Sequence, residues 1–334
     1  MGHATRCIPI IKELLTNNID VVIAGSGKSL DLISAEFPLL QTLTLPDYDL
    51  HFNHFIPIGL HVVLQSLKIK RKIKREKLVL DNYLAAHEIA GIISDNRYGI
   101  YSSSLPSAIV THQIKLAPKT PFRAIANIQI KKYLHRFSEI WVPDEKGSVI
   151  SGELSSLDDF TTKKYLGVLS RFKANPKTTR ETFILATLSG TEPHRTILEN
   201  RLIKSFRNSK QKITLVRGIP ESQEKKIFPE NFTVYNHLLT EDLEKLLTSC
   251  KLLISRCGYS TISDAMAAET PVLLVATKGQ SEQEYLSRRL LKKFNVPLLK
   301  EKQISEGNLQ FAQKISCSSE NLLSSVIVKW VNQL

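Results

Sequence analysis

The chain has 334 residues, too many for one ordinary core and enough for two α/β domains. Its 45 Lys and Arg outnumber 32 Asp and Glu, and a formal charge of +13 favours anionic partners such as nucleotides or acidic headgroups. Few aromatics interleave with the basic residues, which argues against a stacking platform for nucleic acid. Cys7, Cys250, Cys257 and Cys317 form no Cys-x-x-Cys pair. That excludes a zinc knuckle or disulfide framework and points to a reducing, cytoplasmic setting. No signal peptide is visible, and no apolar run reaches the roughly 18–20 residues that span a bilayer.

Strand-like and helix-like segments alternate, as a parallel sheet wrapped by helices requires. The chain opens in helical periodicity at Ile8, Ile11, Leu14 and Leu15. A parallel domain normally starts on a strand. A first strand is therefore expected to be missing, with Met1 an internal loop residue. Strands are expected at 19–25, 41–45, 90–95, 107–112 and 139–143, with helices at 29–37 and 122–137. The second half repeats the grammar. Strands fall at 182–189, 212–217, 232–236, 252–256 and 271–277. Helices fall at 193–206, 241–250 with Thr240 as cap, 260–269 and 281–294. A polar stretch near Gly167 divides the chain into domains 1–166 and 167–318. The last helix, 319–334, is expected to fold back onto the first.

The chemistry concentrates in the second half. Leu252–Arg256 reads as a buried strand, Gly258 as a tight turn, and Ser260 and Thr261 as a helix start. Such a start binds anions through its unpaired N–H groups and dipole. Asp264 lies one turn on and can accept from a ribose diol, although Thr261-x-x-Asp264 also fits a capping box. The polar run Lys278–Glu284 follows the next strand at the same sheet edge.

In the first half, His3 stands at a helix start, where it can act as a general base or bind phosphate. Asp95 ends a strand, as a second catalytic candidate or an Asx-turn. His112 ends the next strand and reads as a satisfied core residue. Asp47-Tyr48-Asp49 reads as a turn rather than a metal-binding Asp-x-Asp, and His51-x-x-His54 is too isolated to be a metal site, so no metal is expected. The apolar run from Phe55 precedes Lys68, Lys70, Arg71, Lys72, Lys74, Arg75 and Lys77, and Phe55–Lys77 suits contact with an anionic membrane.

Arg256-Cys-Gly-Tyr-Ser-Thr-Ile-Ser-Asp264, Pro271-Val-Leu-Leu-Val and Gly279-Gln-Ser-Glu-Gln-Glu-Tyr285 together resemble the donor-site signature of GT-B glycosyltransferases. The nearest likeness is to the family 28 type, the group of the peptidoglycan lipid-linked N-acetylglucosaminyltransferase. Gly2-His3-Ala-Thr-Arg6 resembles that group's first glycine-rich loop, and Leu188-Ser-Gly-Thr191 its phosphate-side loop.

The resemblance implies two Rossmann-like domains whose parallel sheets face across a cleft. A sugar would move from a nucleotide diphosphate, UDP by expectation, to the hydroxyl of a sugar or lipid-linked acceptor. Transfer would invert the anomeric centre without a metal or other cofactor, at a cytoplasmic site that is peripheral to the inner membrane face. Asp264 falls where the family keeps an acid for the ribose hydroxyls, usually Glu, and the loop has fewer glycines than usual. Gln280, Gln283 and Glu284 fall near the donor sugar. Arg171, Ser189, Gly190 and Thr191 fall near the diphosphate or base, Arg256 sits just before the phosphate-facing turn, and Gly258, Ser260 and Thr261 form it.

Two alternatives stay open. His3-Ala-Thr-Arg6-Cys7 is close to the Gly-x-Gly-His-x-x-Arg-Cys of nucleotide-sugar hydrolases of similar fold. A chain lacking its first strand could also be non-catalytic and poorly soluble.

Overall fold

A computed structural model describes residues 2–47, 66–118, 120, 122–156, 162–173, 179–220, 226–316 and 322–334. The chain divides into two compact units: Met1–Leu169 with Ser318–Leu334, and Ser170–Cys317. Asp49, His51, His54 and the segment 55–65 lie outside the described residues.

The second unit is built on five parallel strands: β7 (Ile184–Thr187), β8 (Ile213–Val216), β9 (Phe232–Tyr235), β10 (Leu252–Arg256) and β11 (Val272–Val275). Their order across the sheet is β11-β10-β7-β8-β9. Ile-Leu-Ala-Thr, Leu-Leu-Ile-Ser-Arg and Val-Leu-Leu-Val are nearly unbroken apolar runs, as expected of strands covered on both faces. Leu198, Leu202 and Phe206, spaced by four on α5 (His194–Phe206), join Ile184, Ala186, Leu252 and Ile254 in one core.

Glu199 ties α5 to the end of β8. Burial alone would push its carboxyl up, but hydrogen bonds from Arg217, Lys226 and Arg195 bring it down to about 2. Three further helices complete this unit: α6 (Thr240–Ser249), α7 (Tyr259–Ala267) and α8 (Ser281–Phe294).

The first unit holds α1 (Gly2–Thr16), β1 (Ile23–Gly25), α2 (Gly27–Glu36), β2 (Thr42–Thr44), α3 (Ser66–Ala86), β3 (Ile92–Asp95), β4 (Ser107–Val110), α4 (Arg123–Leu134), β5 (Glu139–Val142) and β6 (Lys163–Tyr165). All its strand pairs are parallel, but among the described residues they form two sheets, β1-β2 and β3-β4-β5-β6. This corrects the expectation of one continuous sheet. Side-chain packing joins the pieces instead. Ile19 and Val21 rest on the cluster of Ala108, Val110 and Trp141, while Leu43 and Leu45 meet Leu80 and Ile92. Ile19–Val22 therefore lies outside β1, which begins only at Ile23, where its backbone N–H finds Gln41 O.

The chain returns to this unit in α9 (Leu323–Val331). Trp330 packs edge-on to Trp141, with ring centroids 5.6 Å apart. Gly91 gives it room, since a Cβ there would lie 2.7 Å from Trp330 and Leu334. Among the described residues, no helix is long and apolar enough to cross a membrane.

Candidate functional site

From β7 the sheet of the second unit grows to β8 and β9 on one side and to β10 and β11 on the other. Connections diverge at such a reversal, and open α/β sheets bind ligands at the carboxyl ends of the strands there. Thr187 pairs with Ser255, and Arg256 with Val275. The loops after β7, β10 and β11 thus leave from one edge. They carry Ser189, Gly190 and Thr191, then Cys257 and Gly258, then Thr277 to Gln280.

Three helices start from these loops, and they differ in how their first turns are answered. At α5, the Glu192 carboxylate accepts from Thr196 N at 3.1 Å. At α8, Gln283 Oε1 accepts from Thr277 N and Glu284 Oε1 from Gly279 N, both at 2.9 Å. These two side chains therefore brace their own loop. At α7 the cap is Gly258, with no side chain to offer. Its φ of −90° demands no glycine, and a Cβ would meet only Thr261 Oγ1 at 3.8 Å. Gly258 does close a tight turn, its N–H donating to Arg256 O at 2.8 Å, but that turn does not require glycine. Gly190 differs, since its φ of +101° is hard for any L side chain. Ser189, Gly190 and Thr191 are exposed, while Ser260, Thr261 and Gln280 are half-buried.

The capping-box reading of Thr261 and Asp264 fails too, because both lie inside α7. Asp264 instead accepts from Ser170 Oγ at 2.7 Å. Burial raises its carboxyl to about 6, against the nearby Arg171 charge and the Ser170 hydrogen bond. Arg171 Nη1 donates to Thr240 Oγ1 at 3.1 Å, and its guanidinium lies over the Phe172 ring. Thr240 is thus the first residue of α6 rather than its cap, because its hydroxyl is engaged by Arg171 while Leu239 holds the cap position. Ser170 carried no signal of its own in the sequence; its role depends on a partner 94 residues away.

Arg256 is corrected as well. Only 1% exposed, it turns into the layer beneath α5, donating to His194 O at 2.6 Å and pairing with Glu301. Its alternation with Leu252 and Ile254 along β10 puts it on that face. It braces the α5 start through Nη2, while its Nε and Nη1 are buried with no hydrogen-bond partner among the described residues.

In the first unit, Asp95 at the end of β3 is paired with buried Arg6 of α1. A carboxylate already committed to a guanidinium is a poor proton acceptor, which counts against Asp95 as the base. His112, just beyond β4, is buried against the same Arg6. His3 is the second residue of α1; only its place in the helix is described.

The sequence matches no family model and no curated protein. Solved structures do match over nearly the whole chain. The calicheamicin glycosyltransferase CalG4 has a TM-score of 0.61 at 10% identity, covering 98% of this chain and 89% of its own. The spinosyn rhamnosyltransferase SpnG, complexed with thymidine diphosphate, has a TM-score of 0.63 at 11% identity, covering 99% and 93%. MurG of Acinetobacter baumannii has a TM-score of 0.52 at 11% identity, covering 99% and 86%. At such identities the likeness is one of architecture: an α/β protein with parallel sheets. The chain has the GT-B fold. These neighbours lend no support to the hydrolase alternative.

The raised carboxyl of Asp264 yields a stability test. Its value in the folded chain exceeds the ordinary 3.8, so ionisation costs stability above about 6. Asp264→Asn, which can still accept from Ser170, should raise Tm at pH 7.5 by about 2–4 °C, the shift for roughly 1 kcal/mol in a domain of this size. The gain should shrink as pH falls from about 6 toward 3.8. Thermal scans across that window check it, and a lowered Tm at pH 7.5 would contradict the assignment.

Proposed function

We propose that the chain is a glycosyltransferase that takes its sugar from a nucleotide diphosphate held by the second unit. One observation carries the reading: α7 starts on a glycine at the strand-order reversal, with Asp264 further along the same helix. The diphosphate would lie across Ser189–Thr191, Gly258, Ser260 and Thr261, where helix N-termini favour anions. Asp264 would accept from the ribose diol through the oxygen that Ser170 leaves open, and Arg171 would lie beside the base. Gln280, Gln283 and Glu284 would meet the sugar.

The chemistry would be one inverting displacement. The acceptor oxygen attacks the anomeric carbon, the bond to the diphosphate breaks, and the acceptor proton passes to a base, for which His3 is the candidate. Helix dipoles would take the leaving-group charge that a metal carries elsewhere. The structural neighbours support sugar transfer as the general reading. The diol contact favours UDP over a deoxyribonucleotide, and the acceptor is proposed to be a sugar or lipid-linked hydroxyl.

Calorimetry with UDP and dTDP tests this. The native chain should prefer UDP, because only UDP presents a 2′-hydroxyl. Asp264→Ala should weaken UDP at least about tenfold, some 1.4 kcal/mol, and dTDP less. Unchanged UDP affinity would remove the assignment.

A cytoplasmic protein peripheral to a membrane is part of the same proposal. It rests on α3, where Lys68, Lys70, Arg71, Lys74 and Arg75 are exposed and have no acidic partner among the described residues. Polybasic helices bind anionic bilayers by about 1 kcal/mol per cation. The chain should sediment with phosphatidylglycerol vesicles at low salt and not with phosphatidylcholine; equal binding to both would count against it.

A further inference from the structure

The carboxyl edge of the first unit holds a polar network that the donor reading leaves unused. Arg6, in the second turn of α1, is only 3% exposed. Its Nε donates to Asp95 Oδ1 at 2.7 Å, and its Nη2 pairs with the same oxygen. Its Nη1 lies 2.7 Å from His112 Nδ1. Cys7, next to Arg6, hydrogen-bonds to Asp95 as well; burial, followed by the Asp95 charge, pushes its thiol well above the ordinary value. Arg6, Cys7 and Asp95 are the titratable groups that these contacts set against His112.

A guanidinium has five donors and no acceptor. The short contact to His112 is therefore a hydrogen bond only if Nδ1 accepts, which places the ring proton on Nε2 and leaves the ring neutral. Asp95, in turn, must be ionised to balance a buried Arg6, because an unpaired buried charge is costly. Each protonation state follows from the one residue between them.

We infer that Arg6 is a positioning residue that holds Asp95 as carboxylate and His112 as the neutral Nε2–H tautomer. This puts the ring's donor at Nε2 and denies His112 the role of base toward a substrate hydroxyl. The same bonds pin the first turns of α1, and with them position 3, to the ends of β3 and β4. That the hydroxyl belongs to a sugar acceptor rests on the glycosyltransferase reading; the tautomer does not.

The test is nitrogen-15 NMR of the full chain labelled in histidine, with His112 assigned by comparison with His112→Gln. At pH 7.5 the native ring should show a protonated Nε2 and a bare, hydrogen-bonded Nδ1. In folded Arg6→Met, which has no donor at position 6, Nδ1 loses its hydrogen bond and the bare Nδ1 signal should move downfield to its unbonded position. A native ring protonated on Nδ1 would overturn the inference whether or not the variant folds, and so would an unchanged Nδ1 shift in folded Arg6→Met. UDP affinity measured on the same samples reads the donor site separately, so failure of one proposal is not failure of the other.

Discussion

Ordering five strands as β11-β10-β7-β8-β9 forces the connections on either side of β7 to run in opposite directions. No helix can then cover the carboxyl edge where β7 meets β10, and the loops there stay open. The arrangement depends on parallel strands buried on both faces, which in turn depends on apolar runs such as Leu252–Ile254. The helix starts inherit their placement from that edge. Glu192 answers the start of α5, Gln283 and Glu284 brace the loop before α8, and α7 alone begins on a bare glycine.

Charge is managed differently in the two units. In the second, Glu199 sits among three cations and is held strongly acidic, fixing α5 against the end of β8. Asp264 has only Arg171 and Ser170 to offset its burial, and its carboxyl rises to about 6. A carboxylate kept at such cost is one sign of a functional site, since ligand hydrogen bonds can supply what the fold withholds. In the first unit Arg6 answers Asp95 and His112 together, which leaves that edge internally balanced.

The sequence made some of this plain. Leu252–Arg256 and Ser281–Phe294 match their expected bounds because a buried apolar run and an amphipathic period leave little freedom. The reach of Asp264 to Ser170 was not legible, since nothing local records a partner 94 residues away. Gln283 and Glu284 were placed at the right edge, but their turn back onto the Thr277–Gly279 backbone depends on loop geometry. Arg256 looked like a phosphate ligand from its position before the turn. Strand alternation sends it under α5 instead, a consequence of which face Leu252 and Ile254 occupy. The first unit was harder still: its sheet divides in two, and packing of Ile19 and Val21 replaces ladder bonds that periodicity alone would suggest.

The central claim is that a nucleotide diphosphate occupies the edge between the β7 loop and the α7 start. Amide hydrogen exchange, followed with and without saturating UDP, tests it most directly. Protection should rise at Gly190–Thr191 and at Gly258–Thr261 together, because one diphosphate would touch both. Protection confined to other segments, or none at either loop, would contradict the account.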